Sequence, residues 1–164
     1  MGTKATLYDE DFYAWTQEQA ALLRKGAMQD LDLANLAEEI EDLGHSQQDK
    51  LASHLLVLLT HLVKLMLAAT YLPTDYERAA RGWRLTCQAQ RFQIAKVLRR
   101  NRRLRSTVAA ELVDAYAVAR LEAARELPLD ETLVPEPYPW PDTDVLAPDF
   151  WPDAPQESHP TNTR

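Results

Sequence analysis

The sequence predicts an all-α protein, an antiparallel helical bundle of about five helices with an extended proline-rich C-terminal arm. The main observation is the stretch from Ser46 to Leu72, where leucine, valine and methionine cover most of a helical surface and polar residues share one stripe. Capping residues separate this stretch from amphipathic segments on both sides. Nine of the ten prolines lie between Pro128 and Pro160. A helix this apolar needs neighbours on most sides, so we expect it at the centre of the bundle.

Length and composition are those of one soluble domain with a tail. The chain has 164 residues, of which 46% are hydrophobic and 26% charged. The first residues lack the basic and apolar regions of a signal peptide, and the single cysteine, Cys87, excludes an internal disulfide and a cysteine-rich zinc site. The run from Leu51 to Leu72 could cross a membrane by length, but Lys64 and two histidines would be costly in lipid. We therefore expect a cytoplasmic protein that does not enter a membrane.

A first helix is predicted from about Glu10 to Lys25. Asp9 can act as its N-cap, and Gly26 follows its last turn. Basic residues in that last turn complement the negative end of the helix dipole. The pattern indicates a helix with both ends defined.

A second helix should begin at Asp30 or Asp32 and end near Leu43. Gly44 would be its C-terminal cap, and Gly44 with His45 would form a tight reversal into the central helix. So short a connection predicts antiparallel neighbours. The apolar residues of the second helix follow a 3-4-3 spacing and should form a buried seam: Leu33, Leu36, Ile40 and Leu43.

Capping signals also define the central helix. Ser46 and Asp49 resemble a capping box at its start, and the Leu72-Pro73 step should end it. Thr74 and Glu77 form a second capping box, which starts the next helix.

That next helix is predicted from about Asp75 to Asn101 and carries an unusual charge. Between Arg78 and Arg105, the basic stripe, the chain has ten Arg or Lys residues and no Asp or Glu, although its net charge is -7. The side chains on its apolar face should be buried: Trp83, Cys87, Ile94, Val97 and Leu98, with Leu85 and Phe92 on a second seam.

The remaining chain should form one more helix and the arm. Ser106 is the expected N-cap of a helix from Thr107 to Glu126, with Val108, Leu112 and Tyr116 inside. We thus expect a bundle over residues 1–126 and an extended arm packed on it over 127–153, because prolines should prevent a helix there while aromatic residues need burial. A disordered tail is expected over 154–164.

Five motifs together resemble a known family. They are YDEDFYAW, LDLANLAEEIEDLGHS, HLVKLML, DAYAVAR and PYPWPDTDVLAPDFWP, which span about Leu7 to Pro152. The chain is similar to the bacterial family catalogued as domain of unknown function 29. The resemblance implies an α-helical bundle and no particular activity. The family would have a Ser-Pro-Ser-Leu-like turn before its last helix, where this chain has NRRLR.

Acidic and imidazole side chains form one candidate site. With the predicted reversal, the acidic residues of the second helix would face His54, and their combination suits zinc, iron or manganese. The alternative is structural: a glutamate pairs with His54, Lys50 or an arginine. No Glu-x-x-His motif of a di-iron bundle occurs in the sequence. The candidate cluster consists of Glu38, Glu39, Glu41, Asp42, His45, His54 and His61.

The basic stripe is a second candidate site. Arginine pairs bidentately with phosphate oxygens, so the stripe could bind a phosphate group or a nucleic acid. The overall acidity and the missing RNA-binding or helix-turn-helix signatures disfavour nucleic acid. The candidate phosphate-binding residues are Arg84, Arg91, Arg99, Arg102 and Arg103.

The sequence gives no catalytic signature, and we expect a non-enzymatic helical interaction module that self-associates or binds a protein partner. The alternatives are a metal-dependent hydrolase acting on a phosphate-containing substrate and nucleic-acid binding through the basic stripe. A hydrolase would need the acidic residues and His54 in one open polar pocket. Nucleic-acid binding would show an affinity that depends strongly on salt.

Overall fold

The computed structural model describes residues 6–152. In that range the chain forms six α-helices and no β-strand, which confirms the all-α fold class. Three short 3₁₀ turns connect them, Met28–Asp30, Arg102–Ser106 and Glu131–Leu133. The chain divides into two compact units, Met1–Ser46 and Gln47–Arg164. The helices are α1 (Leu7–Glu10), α2 (Phe12–Lys25), α3 (Leu33–Tyr71), α4 (Pro73–Arg100), α5 (Val108–Glu126) and α6 (Asp142–Leu146).

The first unit is held together by aromatic side chains and one buried amide. The ring of Tyr8 meets that of Trp15 edge-on at 4.9 Å, and Phe12 stacks on Trp15 at 5.7 Å. The buried Gln19 accepts a hydrogen bond through Oε1 from the backbone N–H of Asp32 at 2.8 Å. These contacts fix α1 and α2 to the beginning of α3.

The predicted first helix is interrupted near its start. Asp11 caps α2 by accepting from the backbone N–H of Ala14 at 2.9 Å, so the prediction of Asp9 as this cap is wrong. Asp9 instead forms the capping box of α1 with Thr6. Gly26 ends α2 as predicted, with φ of 71°, a left-handed conformation that favours glycine.

The predicted reversal at Gly44 and His45 is wrong, because α3 continues without a break from Leu33 to Tyr71. Ser46 is therefore an interior helix residue and not a cap. A single glycine costs a helix only about 1 kcal/mol, and no proline follows to stop it. The predicted seam is also not buried as expected: Leu36 is half-buried, whereas Leu33, Ile40 and Leu43 are exposed.

The second unit packs around the C-terminal half of α3. Between Leu51 and Ala68 this helix supplies nine buried hydrophobic side chains, and α4 and α5 add others that include Cys87, Ile94 and Tyr116. Two contacts show that α3 and α4 are antiparallel: His54 Nδ1 lies 2.7 Å from Gln90 Oε1, and Cys87 Sγ lies 3.9 Å from the Leu58 carbonyl oxygen.

In the described range α3 is the only helix long and apolar enough to cross a membrane. However, 61% of its most apolar 18-residue stretch is buried inside the protein, as in the core helix of a soluble protein.

The start of α4 differs from the prediction, and its end agrees. The helix begins at Pro73 with Leu72 as N-cap, so Thr74 is not the cap. Proline fits the first helical position because its missing N–H would have no partner there. The end at Arg100 and the start of α5 at Val108 lie within one residue of expectation. Leu85 and Phe92, predicted on a second buried seam, are exposed.

The chain after α5 packs on the second unit. Val134 and Val145 are buried, and Tyr116 donates a hydrogen bond to the carbonyl of Pro135 at 2.7 Å. The prediction of an extended arm is wrong at one place, because the five residues that follow Pro141 form the short helix α6. The predicted disordered tail, 154–164, lies outside the described residues. Four aromatic side chains of this segment pack against the core: Tyr138, Trp140, Phe150 and Trp151.

Candidate functional site

The acidic residues of the first candidate cluster lie on the N-terminal half of α3. Glu38, Glu41 and Asp42 are exposed, and so is His45. Glu39 is half-buried and accepts a hydrogen bond from the hydroxyl of Tyr8 at 2.6 Å. This hydrogen bond raises the pKa of Tyr8 to about 12. Glu39 thus helps to fix α1 on α3.

The other two histidines of the cluster, His54 and His61, belong to the C-terminal half of the same helix, and each has a hydrogen-bond partner. His54 pairs with Gln90, and His61 Nδ1 lies 2.8 Å from the carbonyl oxygen of Val57, one turn back. The acidic residues could face His54 only if the chain reversed at Gly44. That reversal does not occur, because α3 is continuous. Among residues 6–152 no group of three His, Cys, Asp or Glu side chains is placed to hold a metal ion.

Two arginines of the basic stripe hold the C-terminal segment. Arg91 is buried, and its Nε and Nη2 donate to the carbonyls of Val145 and Phe150, each at 2.9 Å. Its guanidinium lies 4.9 Å from the ring centre of Trp151. Arg84 donates to the hydroxyl of Tyr76 at 3.0 Å and also lies over Trp151. These two side chains therefore serve the packing of the segment.

The other three candidate phosphate ligands lie around the end of α4. Arg99, Arg102 and Arg103 are exposed. None of the three forms an ion pair with a carboxylate in the described part of the chain. The basic stripe thus divides into a buried part that holds the C-terminal segment and an exposed part.

A carboxylate of α5 pairs with Lys64 of the central helix, a partner that the sequence pattern did not identify. Lys64 is buried, and its Nζ forms a 2.6 Å ion pair with Glu126 while it lies 4.7 Å from the ring centre of Trp83. The hydrogen bond from Lys64 lowers the pKa of Glu126. Glu126 was missed because nothing in its local sequence distinguishes it from other surface glutamates.

An exposed apolar surface, which we call the α3 strip, runs along the N-terminal half of α3. Leu33 is 62% exposed, and Ile40 and Leu43 are each 66% exposed. Ala37 is also exposed, and apart from the adjoining residues and the helix's own backbone no atom lies within 4 Å of the position that a Cβ on Gly44 would occupy. Leu33, Ala37, Ile40 and Gly44 follow each other at intervals of four, three and four residues, so they share one helix face. The sequence pattern identified most of these residues but placed them in the core.

An apolar cleft of about 430 Å³ lies where α4, α5 and α6 meet. Ile94, Leu98, Val108 and Leu146 form much of its wall. Arg91, which also borders the cleft, already donates to the C-terminal segment. The cleft is therefore an apolar surface with a charged rim.

Comparison with known proteins gives a family and no named relative. The family model described as "Domain of unknown function DUF29" matches residues 7–151. No curated protein and no solved structure matches the chain.

Proposed function

The chain belongs to the DUF29 family, whose description names no function, and from its surface we propose that it is an interaction module that binds an amphipathic helix of a partner protein on the α3 strip. The single observation that carries the proposal is the exposure of Leu33, Ile40 and Leu43 on one short stretch of helix. Large apolar side chains that cluster on a surface are typical of protein interfaces. Burying each of the three would contribute about 1–2 kcal/mol, since a third of each is already covered.

The spacing of the strip suits a helical partner. Leu33, Leu36, Ile40 and Leu43 alternate at three and four residues, the pattern by which one helix receives the side chains of another. The small residues Ala37 and Gly44 allow a close approach of the two backbones. An amphipathic helix that lies along the strip would cover its whole length.

Charge indicates the chemistry of the partner. From Gly26 to Asp49 the chain contains seven acidic residues and no lysine or arginine. A second copy of the chain would bring the same acidic flanks against each other, which costs free energy. A partner helix with lysine or arginine beside its apolar face would pair with Glu41, which flanks the strip, and would be attracted by the net negative charge of this stretch. We therefore favour a protein partner over self-association, and we place the interaction in the cytoplasm.

A pair of designed peptides tests the proposal. Both are amphipathic helices with leucine at the a and d heptad positions, one with lysine flanks and one with glutamate flanks. We expect the full chain to bind the lysine peptide, more weakly as salt increases, and to bind the glutamate peptide at least tenfold less tightly, as measured by fluorescence anisotropy.

Two double variants separate the strip from general charge attraction. L33S/I40S should weaken binding of the lysine peptide at least tenfold although all acidic residues remain. L85S/F92S is the matched control, because Leu85 and Phe92 are 59% and 67% exposed on α4, and it should bind normally. Equal binding by both variants would contradict the proposal. So would a homodimer in light scattering that I40S dissociates, because the strip would then bind a second copy.

A further inference from the structure

A second cleft, in the Gln47–Arg164 unit, lies between the antiparallel helices α3 and α4. It has a volume of about 190 Å³. Its position follows from the register of the two helices, in which His54 meets Gln90 and the amide of Asn101 lies 3.5 Å from that of Gln47. This register places two turns of α3 beside the last two turns of α4. The polar side chains that line the cleft are Gln47, Lys50, His54, Gln93, Lys96 and Arg100.

The cleft collects positive charge without a counter-charge. Lys50, Lys96 and Arg100 line it, and no Asp or Glu does. In the part of the chain that the structure describes, none of these three cations forms an ion pair. Lys96 and Arg100 are four residues apart on α4, where like charges repel and destabilise a helix. The negative end of the α4 dipole stabilises a cation at Arg100. It does not explain the cation at Lys96, one turn earlier, or the one at Lys50 on the other helix.

Size and donor chemistry define the ligand. The arginine fork can donate two parallel hydrogen bonds to phosphate oxygens, and the two lysines supply compact charges around the same anion. The side-chain amides of Gln47 and Gln93 add neutral donors. The volume is below the range of about 300–1,000 Å³ found for sites of larger organic ligands. A phosphate group with a small organic substituent matches this combination.

We propose that this cleft binds the phosphate group of a small phosphorylated compound through Lys50, Lys96 and Arg100. The site differs from the phosphate ligands predicted from sequence, because neither Lys50 nor Lys96 was among them and Arg99, Arg102 and Arg103 do not line the cleft. It is also independent of the α3 strip. Failure of one proposal therefore leaves the other unaffected.

Titration of the full chain with inorganic phosphate and with glycerol 3-phosphate tests the site. Calorimetry and NMR at constant ionic strength should show saturable binding of one anion per chain, with the largest amide shifts near residues 50 and 96–100. The variant K96Q/R100Q should lower the affinity at least tenfold. K50Q should lower it too, which gives an independent variant on the other helix. No saturation in the wild-type protein at millimolar phosphate would overturn the proposal.

The matched control is R99Q/R103Q, which removes the same charge from exposed positions outside the cleft. It should retain binding. Equal losses in both double variants would overturn the proposal, because they would indicate diffuse charge attraction. A single-stranded oligonucleotide provides the last comparison. If it binds more tightly than glycerol 3-phosphate and R99Q/R103Q weakens it as much as K96Q/R100Q does, the surface binds nucleic acid and the small-anion proposal is overturned.

Discussion

Arg91 is the residue that connects the C-terminal segment to α4 most directly. Its guanidinium donates to the carbonyls of Val145, Pro148 and Phe150 and contacts the face of Trp151. Burial lowers the pKa of Arg91, but the side chain remains charged at neutral pH because arginine titrates far above it. The cost of burying this charge is offset by hydrogen bonds that a lysine could not reproduce.

Replacement of Arg91 by alanine should release the segment. The buried carbonyl of Val145 and the partly buried carbonyl of Phe150 would lose their donors, so we expect a loss of about 2–5 kcal/mol in the free energy of unfolding. Urea denaturation measures the loss, and hydrogen exchange should show increased opening after residue 134. The exposed Arg99→Ala is the control and should change neither measurement. Unchanged exchange in R91A would contradict the role assigned to Arg91.

His61 predicts a dependence of stability on pH. Burial, assisted by nearby Lys64, lowers the pKa of this half-buried imidazole below 6.5. The unfolded chain therefore binds a proton at His61 at pH values where the folded chain does not. The contribution of His61 to stability is complete above pH 6.5. It is lost as the pH falls towards the pKa of His61 in the folded chain, which is lower.

We expect the free energy of unfolding to fall less steeply in H61Q than in the wild type as the pH decreases below 6.5. Urea denaturation over a pH series gives this comparison, and an NMR titration of the His61 ring gives its pKa directly. Glu126 titrates in a separate, lower window, because its pKa is lowered from 4.5 by Lys64. Identical slopes for the two proteins, or a ring pKa above 6.5, would show that the assignment is wrong.

At the scale of elements, a continuous α3 and a helix cap at Gly44 predict opposite effects of a Gly44→Ala substitution on stability. Gly44 has a helical backbone and no atom near its missing Cβ. Gly44→Ala should therefore stabilise the protein by up to about 1 kcal/mol. Gly26→Ala should destabilise it by about 1–2 kcal/mol, because Gly26 has a φ of 71°.

Thermal and urea denaturation of the two alanine variants measure this contrast. A left-handed cap at Gly44 would make both variants less stable. Destabilisation of G44A, comparable with that of G26A, would therefore contradict the continuous helix.

The sequence predicted the structure correctly where a residue type restricts the backbone or where the apolar periodicity is clear. Gly26 and Pro73 were assigned correctly as a helix end and a helix break, and the core of α5 at Leu112 and Tyr116 is buried as predicted. Gly44 was misinterpreted because an isolated glycine can either cap a helix or remain inside it at a small cost. The choice depends on the chain as a whole and not on the residues beside the glycine.

Candidate sites were harder to predict, because they need the register between helices. Lys50 and Lys96 share one cleft only because α3 and α4 pair in a register that composition does not specify. Periodicity identified Leu33 and Ile40 as one apolar face, but a buried core seam and an exposed contact seam have the same period. Exposure in the structure distinguishes the two.

At the scale of the whole molecule, charge is unevenly distributed along the chain. Residues 6–46 contain ten acidic and two basic side chains, whereas the basic stripe has ten basic and no acidic ones. Such asymmetry favours a positively charged ligand at the first region and a negatively charged ligand at the second. The acidic region, with its α3 strip, suits a basic amphipathic helix, and the basic region suits a small phosphate.

The central claim, that the α3 strip is a contact surface for a partner protein, is tested most directly by photo-crosslinking in living cells. A crosslinking amino acid at position 40 of the full chain probes the strip, and one at position 92 probes an equally exposed site on α4. We predict that position 40 alone crosslinks to another protein, at an amphipathic helix with lysine or arginine flanks identified by mass spectrometry. The same products from both positions, a crosslink only to a second copy, or no product would contradict the claim.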